Sequence, residues 1–574
     1  MRKLLVVAAI IAGAVYGYIK LTGTDSADVD HAELEYVPAD TAFLSAQLEP
    51  VDFVAYLNAF GLSPDYYSEA SLQQLAELTA NSDEPQLQFI FSLAHEYMRA
   101  LAQPEQLEVL TGIKPQMRSL SYLVGLAPVM RIELANEAAF WQLFDRAEEA
   151  SGISHQAIPG DAGGYRSYTF TVGEFSAELL VSVTDGWGNM ALVLPIQGEQ
   201  TRQLVLMAAK PERNITSDNQ LANMVSEYKL NPNAIGFISF QQLVTGLTTT
   251  DGNRLANDVQ LMANPQFNAM MEPWRSTECQ QDLAAITNSW PGIYLDSSIN
   301  SKAGQATHVR SKMLLPTTNT DTVTTLGGIR GFVPSHAAQG MNGAVFSMAL
   351  GLDMAEFAPA ITKIWRGLTQ PAYQCPQLAQ LQQQMQQANP MAMLAAGAMV
   401  NQVRGASVTI NDLVLDPNTM QVAAVDAMLS VTVKNARNYL EGLKGMVPGM
   451  AEISLPADGE ELALNSVLPM LDAFGVTPML QVNDSHLVVY AGDKGTSQAK
   501  ATLAQTIEKN GMLSIGMDYA RFFSIMAETM RASGQPVPDE LSSLTDMDMQ
   551  IQVNMDIDEQ GVVMNSEMTI GGTR

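Results

Sequence analysis

Two short motifs carry side chains that bind metal ions in other proteins. Residues 556–561 read Asp-Ile-Asp-Glu-Gln-Gly, and Glu567 stands at the twelfth position, as in an EF-hand calcium loop. Its fifth position is a glutamine and its flanks alternate as strands, so the segment predicts a hairpin turn. His95 begins a zinc-protease pattern, but Arg99 stands in place of the second histidine. We therefore expect no metal site and no cofactor.

The sequence contains none of the common catalytic motifs. There is no Gly-x-Ser-x-Gly elbow, P-loop or dinucleotide fingerprint, and the remaining histidines are scattered along the chain. No catalytic residue is predicted. A Ser-Lys or paired-carboxylate hydrolase stays open, because such partners meet only in space.

The chain has two cysteines, Cys279 and Cys375, each preceded by a Trp-Arg pair. In an oxidising compartment, two thiols in similar surroundings favour a disulfide. Such a bond would join the two halves of the chain. Two buried free thiols, or a nucleophilic cysteine, are the alternatives.

A methionine-rich stretch, residues 378–403, is the candidate interaction surface. It contains Met385, Met391, Met393 and Met399 among glutamines and alanines. Methionine side chains adapt to many apolar partners. The alternative is two short helices that pack on a sheet, since the chain is rich in methionine throughout (33 residues).

The body of the chain contains segments that recur in the same order. The strand 43–48 after Val37-Pro38 recurs as 345–350 after Val333-Pro334, and helices at 51–60 and 354–365 follow. The later pairs are strand–helix 127–149 with 427–446, strands 190–194 with 486–490, strands 235–240 with 512–517, and hairpins 293–315 with 549–570.

This order predicts an α+β fold made by tandem duplication. Each module is expected to hold a mostly antiparallel sheet with helices packed on one face, because its strands alternate apolar and polar residues. The modules are residues 36–325 and 326–574, and a glycine-rich stretch at 326–331 marks the boundary.

The N-terminus predicts export from the cytoplasm. Arg2 and Lys3 precede an apolar run at residues 4–19, which indicates a single helix in the inner membrane with the body in the periplasm. Residues 1–21 form this anchor, and residues 22–35 form an acidic linker. Ala12-Gly13-Ala14 also fits a signal-peptide cleavage site, which would leave a soluble periplasmic protein.

The anchor followed by Val-Pro-Ala-Asp-Thr at residues 37–41 resembles a family of bacterial envelope proteins known only as a domain of unknown function. The resemblance implies an exported α+β body and supplies no catalytic residues. The second module departs from it, since Ser335 and His336 follow its Val-Pro pair.

Composition narrows the function further. Sixty Asp and Glu against 31 Lys and Arg give a net charge of −29, which argues against nucleic acid as a partner. We expect a non-enzymatic, membrane-tethered envelope protein that binds a protein or lipid; the alternative is a periplasmic hydrolase. An apolar-ligand carrier would require a cavity faced by strand residues such as Phe237, Ile238, Val345 and Phe346.

Overall fold

The computed structural model describes residues 31–55, 77, 84–159, 164–172, 175–263, 265–301, 305–338, 340, 343–387, 400–415, 422–444, 454–466, 476–538, 541, 544–545 and 547–571. The chain forms two compact units. Unit 1 comprises Met1–Pro316 and Gln374–Leu378, and unit 2 comprises Thr317–Tyr373 and Ala379–Arg574. The second unit therefore begins before the boundary at 326 that the sequence predicted.

The strands of unit 1 form an antiparallel sheet. They are β1 (Phe43–Asp52), β2 (Gln116–Val124), β3 (Ala127–Glu133), β4 (Gln156–Ile158), β5 (Tyr165–Val172), β6 (Phe175–Thr184), β7 (Trp187–Val193), β8 (Ala234–Ser239), β9 (Gly292–Asn300) and β10 (Thr307–Pro316). Their order across the sheet is β10-β9-β8-β1-β2-β3-β7-β6-β5-β4.

The helices of unit 1 are short to medium in length and several have side-chain caps. They are α1 (Pro85–Ala102), α2 (Leu107–Thr111), α3 (Glu137–Ser151), α4 (Glu199–Val205), α5 (Gln220–Tyr228), α6 (Phe240–Thr248), α7 (Arg254–Met262), α8 (Pro265–Met271) and α9 (Thr277–Ser289). The side chain of Asn136 accepts a hydrogen bond from the Ala139 N–H and so fixes the start of α3. Gly152 ends α3 in the left-handed conformation.

Helices cover both faces of the unit 1 sheet. Met130 and Arg131 are neighbours on β3, so their side chains point to opposite faces. Met130 points toward α1 and α3, whereas Arg131 donates to the Leu204 carbonyl of α4 at 3.4 Å. This arrangement differs from the predicted packing of helices on one face.

The segment just before β1 belongs to the body of unit 1. Ala32–Tyr36 forms a 3₁₀ helix, and its Leu34 is fully buried. Glu33 pairs with Arg118, and the Tyr36 ring lies 5.2 Å from the guanidinium carbon of Arg131. Residues 32–35 are thus fastened to the sheet and are not part of a flexible linker.

Unit 2 also contains an antiparallel sheet. Its strands are β11 (Phe346–Leu350), β12 (Val403–Leu415), β13 (Val422–Val433), β14 (Leu462–Ala463), β15 (Met479–Val482), β16 (His486–Ala491), β17 (Leu513–Asp518), β18 (Met549–Ile557) and β19 (Gly561–Ile570). Their order is β19-β18-β17-β11-β12-β13-β16-β15-β14.

The remaining helices follow the start of unit 2 in the chain. They are α10 (Thr320–Gly328), α11 (Ser335–Ala338), α12 (Met354–Thr369), α13 (Pro376–Gln387), α14 (Ala436–Lys444), α15 (Asp493–Leu503) and α16 (Tyr519–Ala532). Helix α15 packs against β13 and β16, and α11 packs against β11 and β17. Mixed helices and antiparallel strands confirm the α+β class.

Among the described strands, the order is the same in the two units, apart from one additional strand in unit 1. In each, the first strand pairs with the second on one side and with a late strand on the other. Among the described residues, no helix has both the length and the apolar composition needed to cross a membrane. The predicted anchor at residues 4–19 lies outside the described residues.

Candidate functional site

Unit 1 contains an apolar cavity of about 370 Å³ between its sheet and the helices α1 and α3. The volume is within the range of small-ligand sites. Strands β1, β2, β3, β5, β6 and β7 supply one wall. None of the described lining residues carries a charge.

The sheet wall consists of side chains from one face of the alternating strands. Met130 and Ile132 come from β3, Met190 and Leu192 from β7, and Leu179 from β6. Met130 pairs with Met190, and Leu179 pairs with Leu192, so these side chains lie side by side across three strands. Register therefore assembles this wall from strands that are distant in the sequence.

The helix wall consists largely of aromatic and branched side chains. Phe89, Leu93 and Met98 come from α1, whereas Phe140 and Phe144 come from α3. The Phe140 ring lies directly over the sheet at Gly188, where a Cβ atom would come within 2.9 Å of the ring. A glycine at that position allows the helix to approach the sheet closely.

An aromatic cluster lies beside the cavity. The Tyr168 ring lies 4.8 Å from that of Phe89 and 6.0 Å from that of Phe144. Burial is the main reason why the pKa of Tyr168 is raised, and its hydroxyl donates to Glu148 Oε1 at 2.8 Å. Tyr168 thus joins the apolar lining to a polar network outside it.

That network holds a histidine against a carboxylate. His155 Nδ1 lies 2.7 Å from Glu148 Oε1, and Arg166 Nη1 lies 3.4 Å from the same oxygen. Such a pair orients imidazole in hydrolases. The other side chains that donate hydrogen bonds to Glu148 here are those of Tyr168 and Arg166, and neither is a serine or cysteine nucleophile.

A buried carboxylate ties together the helices beside the cavity. Glu96 of α1 accepts hydrogen bonds from Arg146 Nε at 2.7 Å and from Arg99 Nη1 at 3.1 Å. Arg146 also donates to the Leu110 carbonyl at 2.6 Å. The His95 motif therefore lies in a structural ion-pair cluster, and no group of three or more His, Cys, Asp or Glu in the described part of the chain is arranged to hold a metal ion.

Cys279 and Cys375 form a disulfide, and both residues are fully buried. The disulfide prediction is confirmed, and the free-thiol and nucleophile alternatives are wrong. The bond joins the two halves of the sequence, as predicted, and the short segment Gln374–Leu378 around Cys375 clusters with unit 1, although the chain on both sides of it belongs to unit 2. The Cys375 N–H donates to Asp282 Oδ2 of α9 at 2.8 Å, which fixes this segment on unit 1.

Two other candidates from the sequence are the methionine-rich stretch at residues 378–403 and the 556–561 segment. Met385 is half-buried on α13, whereas Met391, Met393 and Met399 lie outside the described residues. The 556–561 segment is a hairpin turn between β18 and β19, as predicted, and Asp558 accepts from the N–H groups of residues 560 and 561.

The cavity is not lined by Phe237, Ile238, Val345 or Phe346, the strand residues that the sequence singled out. The sequence analysis overlooked the apolar pattern of α1. Its surface is apolar over more than one narrow stripe, formed by Phe89, Ile90, Leu93, Ala94 and Met98. No family model, no curated protein and no solved structure matches this chain. The function therefore has to be argued from geometry.

Proposed function

We propose that this chain is a non-enzymatic, membrane-tethered envelope protein that binds the hydrocarbon chain of a lipid in the unit 1 cavity. The single observation behind this proposal is an uncharged, aromatic and aliphatic space of about 370 Å³. Each buried methylene group gains about 0.8 kcal/mol on leaving water, so such a space favours hydrocarbon over polar ligands. A charged head group would remain outside, because none of the described lining residues is a cation that could pair with it.

The tethered, exported location is part of the same proposal. The supporting features are the basic residues before the apolar run at 4–19 and the disulfide, which is characteristic of oxidising compartments. The segment Ala32–Tyr36 is bound to the sheet of unit 1, so few residues separate this unit from the predicted anchor. The source of ligand nearest to such a cavity is the lipid in the outer leaflet of the inner membrane.

Tandem duplication is the proposed origin of the two units. Support comes from the strand order, in which β1, β2, β3 and β7 occupy the places of β11, β12, β13 and β16. The late strands β8 and β17 pair with the first strand in both units. If one copy gained or lost a strand at the edge of its sheet after the duplication, the order of these central strands would stay the same in both units.

A cavity-filling variant tests lipid binding. Ala94 lines the cavity from α1, and Ala94→Phe places a ring in the space that a ligand would use. If the ring displaces two methylene groups, affinity falls by about 1.6 kcal/mol, or more than about tenfold. The matched control is Ala138→Phe, at an exposed position on α3 that does not line the cavity.

The assay uses the full chain in vesicles that contain a photoactivatable zwitterionic phospholipid. Crosslinked peptides are identified by mass spectrometry, and the expected sites lie on α1, α3 and the strands facing them. The yield should fall in Ala94→Phe and persist in Ala138→Phe. Equal yields in the two variants, or crosslinks confined to residues 4–19, would contradict the proposal.

A further inference from the structure

A fully buried arginine in unit 1 has no acidic partner among the described residues. Arg131 of β3 is 0% exposed, and its Nε and Nη1 atoms find no hydrogen-bond acceptor in the described part of the chain. Its Nη2 atom donates to the Leu204 carbonyl at 3.4 Å. Burying a guanidinium is costly unless an anion accepts its hydrogen bonds. Arg131 therefore offers two donors to an anion that the described residues do not supply.

Two tyrosine rings contact this guanidinium. The ring centres of Tyr36 and Tyr122 lie 5.2 Å and 5.0 Å from its central carbon. Such contacts offset only part of the cost of burying the charge. The Tyr122 hydroxyl is also buried without a partner among the described residues. Burial raises the pKa of Tyr122 to about 12, so this hydroxyl keeps its proton and is a further unused donor near Arg131.

Unit 2 shows that this strand order does not require a buried arginine. In unit 1, Arg131 pairs with Leu120 of β2. By strand order and register, Ser430 of β13 has the place of Arg131 in unit 2, where it pairs with Ser407 of β12. The hydroxyl groups of these two serines lie 2.7 Å apart and satisfy each other. A small paired side chain is enough at this place, so the sheet alone does not account for the arginine.

The 3₁₀ helix Ala32–Tyr36, which we call the strap, is acidic and lies on cations of unit 1. Its Glu33 pairs with Arg118 of β2 at 2.5 Å. Its Glu35 pairs with Lys210, whose side chain is 52% exposed. The strap thus covers three cations, two through its carboxylates and the buried guanidinium through its tyrosine ring.

The surface beneath the strap is cationic without it. Arg118 also pairs with Glu133 at 3.2 Å, but Lys114 pairs with the same carboxylate at 2.8 Å. Arg131 and Lys210 add two further positive charges, at 5.2 Å and 5.4 Å from the centre of the tyrosine ring of the strap. A negatively charged group that takes the place of the strap therefore meets a net positive surface.

Side chains, and not backbone hydrogen bonds, hold the strap on the sheet. The described backbone hydrogen bonds of residues 32–36 run within the segment and to its neighbours His31 and Val37. The backbone is fixed from Val37 onward, because its carbonyl accepts from the Ile215 N–H at 2.8 Å. Lifting the strap about Val37 breaks two partly exposed ion pairs, which are weak, and exposes Leu34.

Two arginines project toward the strap from one face of the sheet. Arg118 is two residues from Leu120, which pairs with Arg131, so both side chains leave neighbouring strands on the same side. Guanidinium groups bind phosphate oxygens through paired N–H donors, and a lysine adds a point charge. We propose that the strap is displaceable, and that Arg118, Arg131 and Lys210 bind a phosphate group when it lifts. Free phosphate and the head group of an anionic phospholipid share this chemistry.

The test uses the full chain in zwitterionic nanodiscs. Isothermal titration calorimetry measures the binding of inorganic phosphate against chloride at constant ionic strength, and hydrogen exchange with mass spectrometry follows residues 31–41 in the same samples. Phosphate should bind and should speed exchange in the strap. In a second arm, the nanodiscs contain phosphatidylglycerol and no phosphate is added. Faster exchange in that arm alone assigns the site to a lipid head group, and faster exchange with phosphate assigns it to the free ion.

Site variants test the cations. Arg131→Gln removes the buried charge and should weaken binding of the ligand by about tenfold or more. Lys210→Gln changes an exposed side chain, keeps the fold testable, and should weaken binding by about threefold. The matched control is Lys363→Gln, because Lys363 is 54% exposed and also pairs with a carboxylate. It should leave binding unchanged, and near-UV circular dichroism confirms that each variant is folded.

Strap variants test displacement. Glu33→Gln with Glu35→Gln removes both ion pairs, so a larger fraction of the protein has the strap lifted and the apparent affinity should rise by about fivefold. Glu137→Gln with Glu149→Gln removes the same charge from exposed positions on α3. This control should change the affinity by less than about twofold, because distant exposed charges are screened.

Three results would overturn the proposal. Neither inorganic phosphate nor phosphatidylglycerol could speed exchange in the strap. Lys210→Gln and Lys363→Gln, or the two glutamate pairs, could act equally, which would indicate a general effect of charge. Phosphate could bind and slow exchange in the strap, which would show that it does not displace it. None of these results bears on Ala94→Phe, since Arg131 and the cavity residue Met130 point to opposite faces of the sheet.

Discussion

Removal of the disulfide is expected to destabilise unit 1 in a measurable way. The bond closes a loop with a sequence separation of 96 residues. In the chain-entropy description, a loop of this length restricts the unfolded chain by about 4.7 kcal/mol at 25 °C when the whole loop is unfolded, including Thr317–Tyr373 of unit 2. The perturbation is Cys279→Ala with Cys375→Ala, which keeps both positions small and apolar.

Tryptophan fluorescence can report this change largely from unit 1. Trp141, Trp187, Trp274 and Trp290 lie in unit 1, and Trp365 lies in unit 2. In a Trp365→Phe background, the signal therefore follows unit 1 alone. This matters because a chain with two units need not unfold in one step.

With a urea m-value of about 3 kcal/mol/M, a loss of about 4.7 kcal/mol lowers the unfolding midpoint by about 1.6 M. The reduced parent protein should unfold at the same midpoint as the double variant, since both lack the bond. A shift below about 0.3 M would refute the reasoning. Equal midpoints for the oxidised and reduced parent would do so as well.

Two further predictions concern backbone geometry and pH. Gly112 has φ +77°, and a Cβ atom there would lie 2.2 Å from the Asn136 carbonyl oxygen. Gly112→Ala should therefore lower the free energy of unfolding in urea by more than about 2 kcal/mol. The control is Gly152→Ala, where φ is +73° but the space is open, and its loss should be about 1 kcal/mol. Burial raises the pKa of Asp258, so the folded state holds its proton longer and stability falls as pH rises through the interval between unfolded and folded pKa values. Asp258→Asn should remove this loss, and its stability relative to the parent should increase as the pH rises above the ordinary pKa of an aspartate. A constant difference in stability across that pH range would contradict the assignment.

Strand positions and fold class could be predicted because the alternation of apolar and polar residues along a strand is visible in a short stretch of sequence. The segments 43–48, 127–134 and 486–490 all lie in or overlap strands of the sheets. The partner of each strand was not predictable, because pairing depends on contacts between distant residues. The bonded thiols were expected from number and compartment alone, whereas the position of both in unit 1 depends on how residues 374–378 pack.

The exact residue-by-residue alignment of the two repeats could not be predicted from the sequence. The repeat aligned Phe43 with Val345. In the sheets, Phe43 pairs with Ile238 next to the cap residue Ser239, and Phe346 pairs with Met517 next to the cap residue Asp518. Phe43 thus has the place of Phe346. A slip of one residue in this alignment assigns every side chain to the other face.

Alternation also does not say which face is the inside. The sequence led us to expect that the polar residues of each strand meet water, and in unit 2 Ser407 and Ser430 are instead buried and hydrogen-bonded to each other. Burying a hydroxyl is favourable only when it is paired, and neighbouring strands pair these hydroxyls in register. The opposite face is also used as core, because Val433 and Leu487 on the face of Leu429 are buried against Leu440 of α14.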